Sequence, residues 1–166
     1  FQVVVPKQLR DIEIGVHRLQ FIYQEAQAFD GCNDAPYLSA IKTLAGHAAV
    51  AGVELTLLDC VRYMHRTGGV SNVAQIVKDL GSRADSRKLA RAAVQYEGAV
   101  VRRLGYLLDQ AGHARPARSL RVYADSAKHF APLEPSGKPV ITALAEPSPR
   151  EGTWKLELNE VVEVDA

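Results

Sequence analysis

The stretch Val53–Gly69 (VELTLLDCVRYMHRTGG) divides the chain by hydrophobic period, and that division limits the folds open to it. Before it, apolar residues alternate or sit in short β-branched clusters. After it, they recur every three or four residues to about Ala127. A period of two builds strands and a period near 3.6 builds helices, so neither pattern settles readily as the other. Within the stretch, Leu55, Leu58, Val61 and Met64 fall three apart, widened by Leu57 and Tyr63, while Glu54, Asp59, Arg62 and Arg66 decorate the other face. Glu54 in the first turn and Arg62, His65 and Arg66 in the last suit the helix dipole, and Gly68–Gly69 stops the helix.

Upstream, Gln2–Val5 reads as a strand closed by Pro6. Asp11–Val16 and Leu19–Tyr23 alternate in phase, as a tight hairpin or one bulged strand. Asp30–Pro36 is turn chemistry and reads as a loop, and Leu38–Leu44 with His47–Ala51 reads as a second hairpin across Ala45–Gly46. Downstream, Ser71 opens a helix to Leu80. A helix starting at Asp85 or Ser86 follows, then one over Glu97–Ala111, then a last one from Pro116 to about Ala127. Phe130–Glu151 holds five prolines between Pro132 and Pro149 and reads as a long loop with one short strand at Val140–Leu144. Thr153–Leu158 and Val161–Val164 read as strands returning to the N-terminal sheet.

The expected fold is α+β in one domain, residues 1–166. It has N-terminal antiparallel strands and hairpins (1–51), a central antiparallel array of about five helices (53–128), and a Pro/Gly-rich loop with C-terminal strands (130–166). The chain opens at Phe1 in an apolar run with no initiator Met, which reads as a start inside a longer protein.

An apolar content of 47% with 23% charged residues excludes disordered and fibrous classes. No apolar run is long enough for a spanning helix, and no leader pattern marks secretion. Cys32 and Cys60 form neither a CxxC nor a disulfide framework, which fits a reducing cytoplasm. The net charge of +1 hides an asymmetry. Residues 82–129 carry ten basic and four acidic side chains (+6), and residues 130–166 carry three and seven (−4).

Little catalytic chemistry is legible. The five histidines, His17, His47, His65, His113 and His129, never reach metal-ligand spacing, and phosphate-binding loops and nucleophile elbows are missing. No Glu-x-Lys or Asp-x-Lys triplet of a nuclease occurs, and the tail carboxylates Glu157, Glu160 and Glu163 read as a solvated face. The chain is therefore expected to be no enzyme and to need no cofactor or metal. Attention falls on arginines. Arg102–Arg103 borders the stripe Val101, Leu104 and Leu108, so at least one of the pair is expected to face water. Arg115, Arg118 and Arg121 recur every three residues on one face of the last helix. Either these are solvated surface with pairs such as Arg118 or Arg121 with Asp125, or they contact a phosphate backbone or an acidic protein without reading bases.

Four blocks, ELTLLDCVRY, GGVSNVAQIVKDL, AVVRRLGYLLDQAG and TWKLELNEVVEVD, resemble the C-terminal domain of AbiEi-type antitoxins from type IV toxin–antitoxin systems linked to abortive phage infection. The matching positions are Glu54, Thr56, Leu57, Leu58 and Asp59; Gly68, Gly69 and Asn72; Arg102 through Leu108, with Gly105 and Tyr106; and Trp154, Asn159 and Glu163. Gly52 stands where the family pattern has a proline. The resemblance implies an antitoxin that counteracts a nucleotidyltransferase-like toxin and supports cooperative repression of its operon. The resemblance also implies a winged-helix domain that binds operator DNA, and this chain is expected to lack that segment. Arg62, Arg102, Arg103, Arg115, Arg118 and Arg121 are the candidate contacts to partner or nucleic acid. Glu54, Thr56, Asp59, Gly69, Asn72, Gly105, Tyr106, Trp154 and Asn159 are expected to be structural. The alternative reading is a nonspecific nucleic-acid-binding module using the basic helices of 82–129.

Overall fold

A computed structural model of the chain describes residues 2–34, 36–136 and 148–164. The first sheet holds β1 (Gln2–Val5), β2 (Ile12–Ile14) and β3 (His17–Tyr23) in the order β1-β3-β2. β2 and β3 form the hairpin, with Gly15 at φ +60° in the turn. β1 joins the other edge in parallel, Gln2 opposite Gln20 through Val5 opposite Tyr23. This corrects the expectation of purely antiparallel strands. Pro6 ends β1, and the segment before β2 carries the chain back so that β3 runs alongside β1 in the same sense.

Next comes α1 (Ala26–Cys32), where turn residues from Asp30 predict a loop; the helix persists to Cys32 before the chain turns. Packing decides the difference. Cys32 is buried in the main core, and a side chain at Gly31 would crowd Gln95. β4 (Leu38–Thr43) and β5 (Gly46–Ala51) form the second hairpin, paired at every position.

The helical array begins with α2 (Val53–Arg62). It closes one turn earlier than its apolar period suggests, and a 3-10 turn over Met64–Arg66 then buries Met64. Gly68 and Gly69 both lie near φ +90°, conformations open to glycine at little cost. α3 (Val70–Leu80) therefore starts from Gly69 as its cap, not from Ser71. α4 (Ser86–Ala93) and α5 (Gly98–Gln110) follow as expected. The expected last helix is two, α6 (Ala114–Ser119) and α7 (Arg121–Asp125), broken at Leu120. The Ser119 hydroxyl donates to the Pro116 carbonyl at 2.7 Å, competing with the regular ladder, while Leu120 drops into the core. Among the described residues the array thus holds six helices, α2 to α7, where about five are expected, and α1 lies before it.

Two further expectations change at the C-terminal end. β6 (Ala131–Pro132), β7 (Arg150–Glu151) and β8 (Leu156–Glu157) form their own sheet, ordered β6-β8-β7, and do not return to the N-terminal one. They dock on α5 instead. Residues 152–155 form a turn, with Lys155 at φ +55°, so the strand expected from Thr153 begins only at Leu156. Residues Val161–Val164 pair with no strand among the described residues. They run beside α3 and α5, where Val162 packs against the core and the Glu163 amide donates to the Ser71 hydroxyl at 3.1 Å. The strand expected at Val140–Leu144 lies outside the described residues.

The core sits almost wholly in the array and in the sheet docked on it. Leu57, Leu58, Val61, Val73, Val77, Leu89, Leu104 and Leu108 are fully buried, each worth roughly 1.5–3 kcal/mol. Among the described residues, only Ile22 and Cys32 of the buried apolar set precede Val53.

Candidate nucleic-acid interface

Two helices, α4 and α6, gather exposed positive charge on one side of the array. α4 is capped by Asp85, whose side chain accepts from the amides of Arg87 (2.8 Å) and Lys88 (3.0 Å). These amides, Lys88's first, hold the Asp85 carboxyl below the usual carboxylate range. The amide of Asp85 in turn donates to Glu54 Oε1 at 2.7 Å, so the buried carboxylate of α2 fixes where α4 starts. α4 buries Leu89, Ala92 and Ala93 and leaves Arg87, Lys88 and Arg91 exposed.

α6 lies beside α4, its Pro116 and Ala117 buried and its Arg115 and Arg118 in solvent. Between them opens a groove of about 530 Å³, walled by residues 82–86 and 112–116. Arg83 and Arg115 stand on its two sides, and Asp85 is its single carboxylate. His113 reaches out of the groove to the Lys78 carbonyl at 3.0 Å. Gly112 at φ +79° makes the turn, and Gly81 is small because a side chain there would collide with His113. Arg83, Arg87, Lys88, Arg91, Arg115 and Arg118 enter no ion pair among the described residues. Six neighbouring unpaired cations repel one another, and a polyanion relieves that repulsion by surrendering its condensed counterions.

The six arginines singled out from sequence divide by environment. Arg115 and Arg118 belong to this face. Arg121 pairs with Asp125 at 3.4 Å and lies 5.3 Å from the Trp154 ring centre, a neighbour of the face already engaged. Arg62 binds Glu97 at 2.8 Å between the rings of Tyr63 and Tyr96. Arg102 and Arg103 are both buried, which corrects the expectation that one faces water. Arg102 donates to the carbonyls of His129 (3.0 Å) and Lys155 (2.8 Å), and Arg103 to that of Pro132 (2.8 Å). Burial lowers the pKa of each below the ordinary arginine value. Both arginines thus clasp the C-terminal segment, and neither is presented to a partner.

The other signature residues make internal contacts. Thr56 donates its amide to the Gly52 carbonyl in the first turn of α2. Asp59 Oδ1 accepts from the Tyr96 hydroxyl at 2.8 Å; burial pushes the Asp59 carboxyl up, and Tyr96 is pushed far up by burial and then by Asp59. Asn72 donates to the Thr67 carbonyl at 3.1 Å and packs on Gly68. Gly105 faces the Trp154 ring, which a Cβ there would overlap, and Trp154 Nε1 donates to Asp109 at 2.7 Å. Tyr106 is buried in the core. Asn159 clips residue 134 twice, accepting from its amide at 3.0 Å and donating to its carbonyl at 2.9 Å.

Arg83, Arg87, Lys88 and Arg91 escaped selection as site residues. Their signal is the spacing of four that sets Arg87 and Arg91 in register on α4, facing away from Leu89 and Ala92, while Arg83 ends the 3-10 turn over Gly81–Arg83 that precedes the helix. Among the described residues, no three His, Cys, Asp or Glu side chains stand together as a metal site, and no helix is long and apolar enough to cross a membrane.

A family model described as the AbiEi antitoxin C-terminal domain matches residues 1–110. The match takes in the whole N-terminal strand region and stops inside the third sequence block. No curated protein and no solved structure matches.

Proposed function

The chain belongs to the AbiEi antitoxin C-terminal domain family, and on that premise we propose that it is the antitoxin and regulatory domain of a type IV toxin–antitoxin system in phage defence. In this reading it acts in the cytoplasm without catalysis, opposes a nucleotidyltransferase-like toxin, and supports cooperative repression of its own operon. The observation that carries it is the unpaired basic face of α4 and α6. That face grips the phosphate backbone of operator DNA, while bases are read by a winged-helix unit outside these 166 residues. Arginine and lysine at helix surfaces supply register and affinity by counterion release and carry no sequence information themselves.

The test is the triple substitution Arg87→Glu, Arg91→Glu and Arg115→Glu, all at exposed positions that leave the core untouched. If six cations meet six phosphates, log K falls against log salt with a slope of roughly −5, and the triple variant loses roughly three units of it. Mobility shifts of the wild type and variant at two salt concentrations read this directly, with repression and rescue of toxin-expressing cells measured alongside. Unchanged repression and rescue by a folded triple variant would refute the assignment. The alternative, a nonspecific nucleic-acid-binding module, uses the same face. It predicts the same salt-dependent binding, with repression and toxin rescue independent of the arginines.

A further inference from the structure

The hairpin β4–β5 projects from the fold with its side chains in water. Every residue of β5 is exposed, as is every residue of β4 except Leu38, which packs against the core at the hairpin root. Leu44 at the tip is fully exposed, and Ile41 and Val50 are 50% and 42% exposed. A two-stranded hairpin standing alone is marginal in water, so one this regular, paired at all six positions without a bulge, calls for cover.

The register says what kind of cover. Ser39, Ile41 and Thr43 share a face with Val50, Ala48 and Gly46, and that face holds no charge. Lys42 and His47 lie opposite each other on the other face. β5 (GHAAVA) has no proline, no formal charge and no bulge, the devices that keep an edge strand from pairing with another chain. In a twofold-symmetric contact each patch meets itself, so a charged patch repels its copy and an uncharged one does not. The face of α4 and α6 fails that condition and the acidic tail fails it too. Residues 2–51 meet it, with four basic side chains (Lys7, Arg10, Arg18, Lys42) against five acidic ones (Asp11, Glu13, Glu25, Asp30, Asp34).

We infer that the partner of β5 is β5 of a second copy, paired antiparallel about a twofold axis at Ala49, so that Ala49 stands opposite Ala49 of the copy, to make a four-stranded sheet from two hairpins. The outer backbone groups of each edge then satisfy one another, and the uncharged faces of the two hairpins join. An interface this small gives a weak dimer, with a dissociation constant on the order of 10–100 µM.

Sedimentation velocity on the 166-residue chain from about 1 to 500 µM tests it. The expected result is a shift from the single-chain mass of 18.1 kDa towards twice that value. Ala49→Glu and Ala49→Lys each set like charges together across the axis, so each variant alone stays at single-chain mass. An equimolar mixture of the two regains the doubled mass. Circular dichroism of each variant matches the wild type, because the helical core does not involve residue 49. A wild type that stays at single-chain mass throughout overturns the inference, as does an Ala49→Glu chain that doubles like the wild type. Slowed amide exchange of β5 only on addition of toxin or operator DNA overturns it in favour of that partner.

Discussion

Gly105→Ala tests how the C-terminal segment is held, because two effects of similar size oppose each other there. On an isolated helix the change favours the folded state by about 1 kcal/mol, since alanine is the better helix former. In this protein the new methyl would overlap the Trp154 ring, which is 2% exposed and lies across α5 at that position. The obstacle is the rigid indole, held by its N–H bond to Asp109 and flanked by Arg121, so it cannot swing aside at small cost. Displacing the ring forfeits burial comparable to a Trp→Ala truncation, about 3–5 kcal/mol. The net effect is a loss of roughly 2–4 kcal/mol. For a domain of this length that lowers Tm by roughly 4–16 °C. Trp154 is the only tryptophan, so its fluorescence reports the docking directly. The expected variant melts lower and emits at longer wavelength, with helical circular dichroism largely kept. A Gly105→Ala chain of equal or higher Tm with unchanged emission would refute the packing argument, leaving the glycine merely a helix defect.

The double substitution Arg102→Glu and Arg103→Glu is expected to release the C-terminal sheet, not to disturb a binding surface. It strips three carbonyls of their donors and buries two new charges, at a cost of at least 3–5 kcal/mol. Limited proteolysis reads it as rapid cleavage after His129, and a protected segment counts against the clasp. Asp59 gives a pH signature. Burial raises its folded pKa above the ordinary 3.8, against the smaller opposing influences of Tyr96 and Arg62. Its contribution to stability is therefore complete below the unfolded value and is lost as pH rises through the folded one. Asp59→Asn keeps an acceptor for Tyr96, so its Tm relative to wild type should climb as pH rises from 4 to 7; a flat difference would show that burial does not govern this carboxyl.

Period and capping chemistry made much of the fold legible in the sequence. The switch from two to 3.6 at Val53 locates the helical array, Asp85 marks the start of α4 through its own side chain, and Gly68–Gly69 marks the stop before α3. Such signals are local, since each depends on residues within one or two turns of chain. The free cations of α4 were legible in the same way, as a spacing of four opposite Leu89 and Ala92.

What the sequence could not display is which distant groups accept a buried charge. Read alone, a charged side chain beside an apolar stripe belongs in water, because burying it without partners costs several kcal/mol. Arg102 and Arg103 escape that cost through carbonyls 27, 53 and 29 residues away, brought over α5 by the docked sheet. Gly105 likewise reads as a weak point in a helix until Trp154 is seen lying on it. The same tertiary contacts draw the C-terminal strands away from the N-terminal sheet. Local pattern alone determined which faces are apolar and where α2 and α4 begin. Three-dimensional packing alone decided which arginines stay free for a partner, because that depends on acceptors supplied from far along the chain.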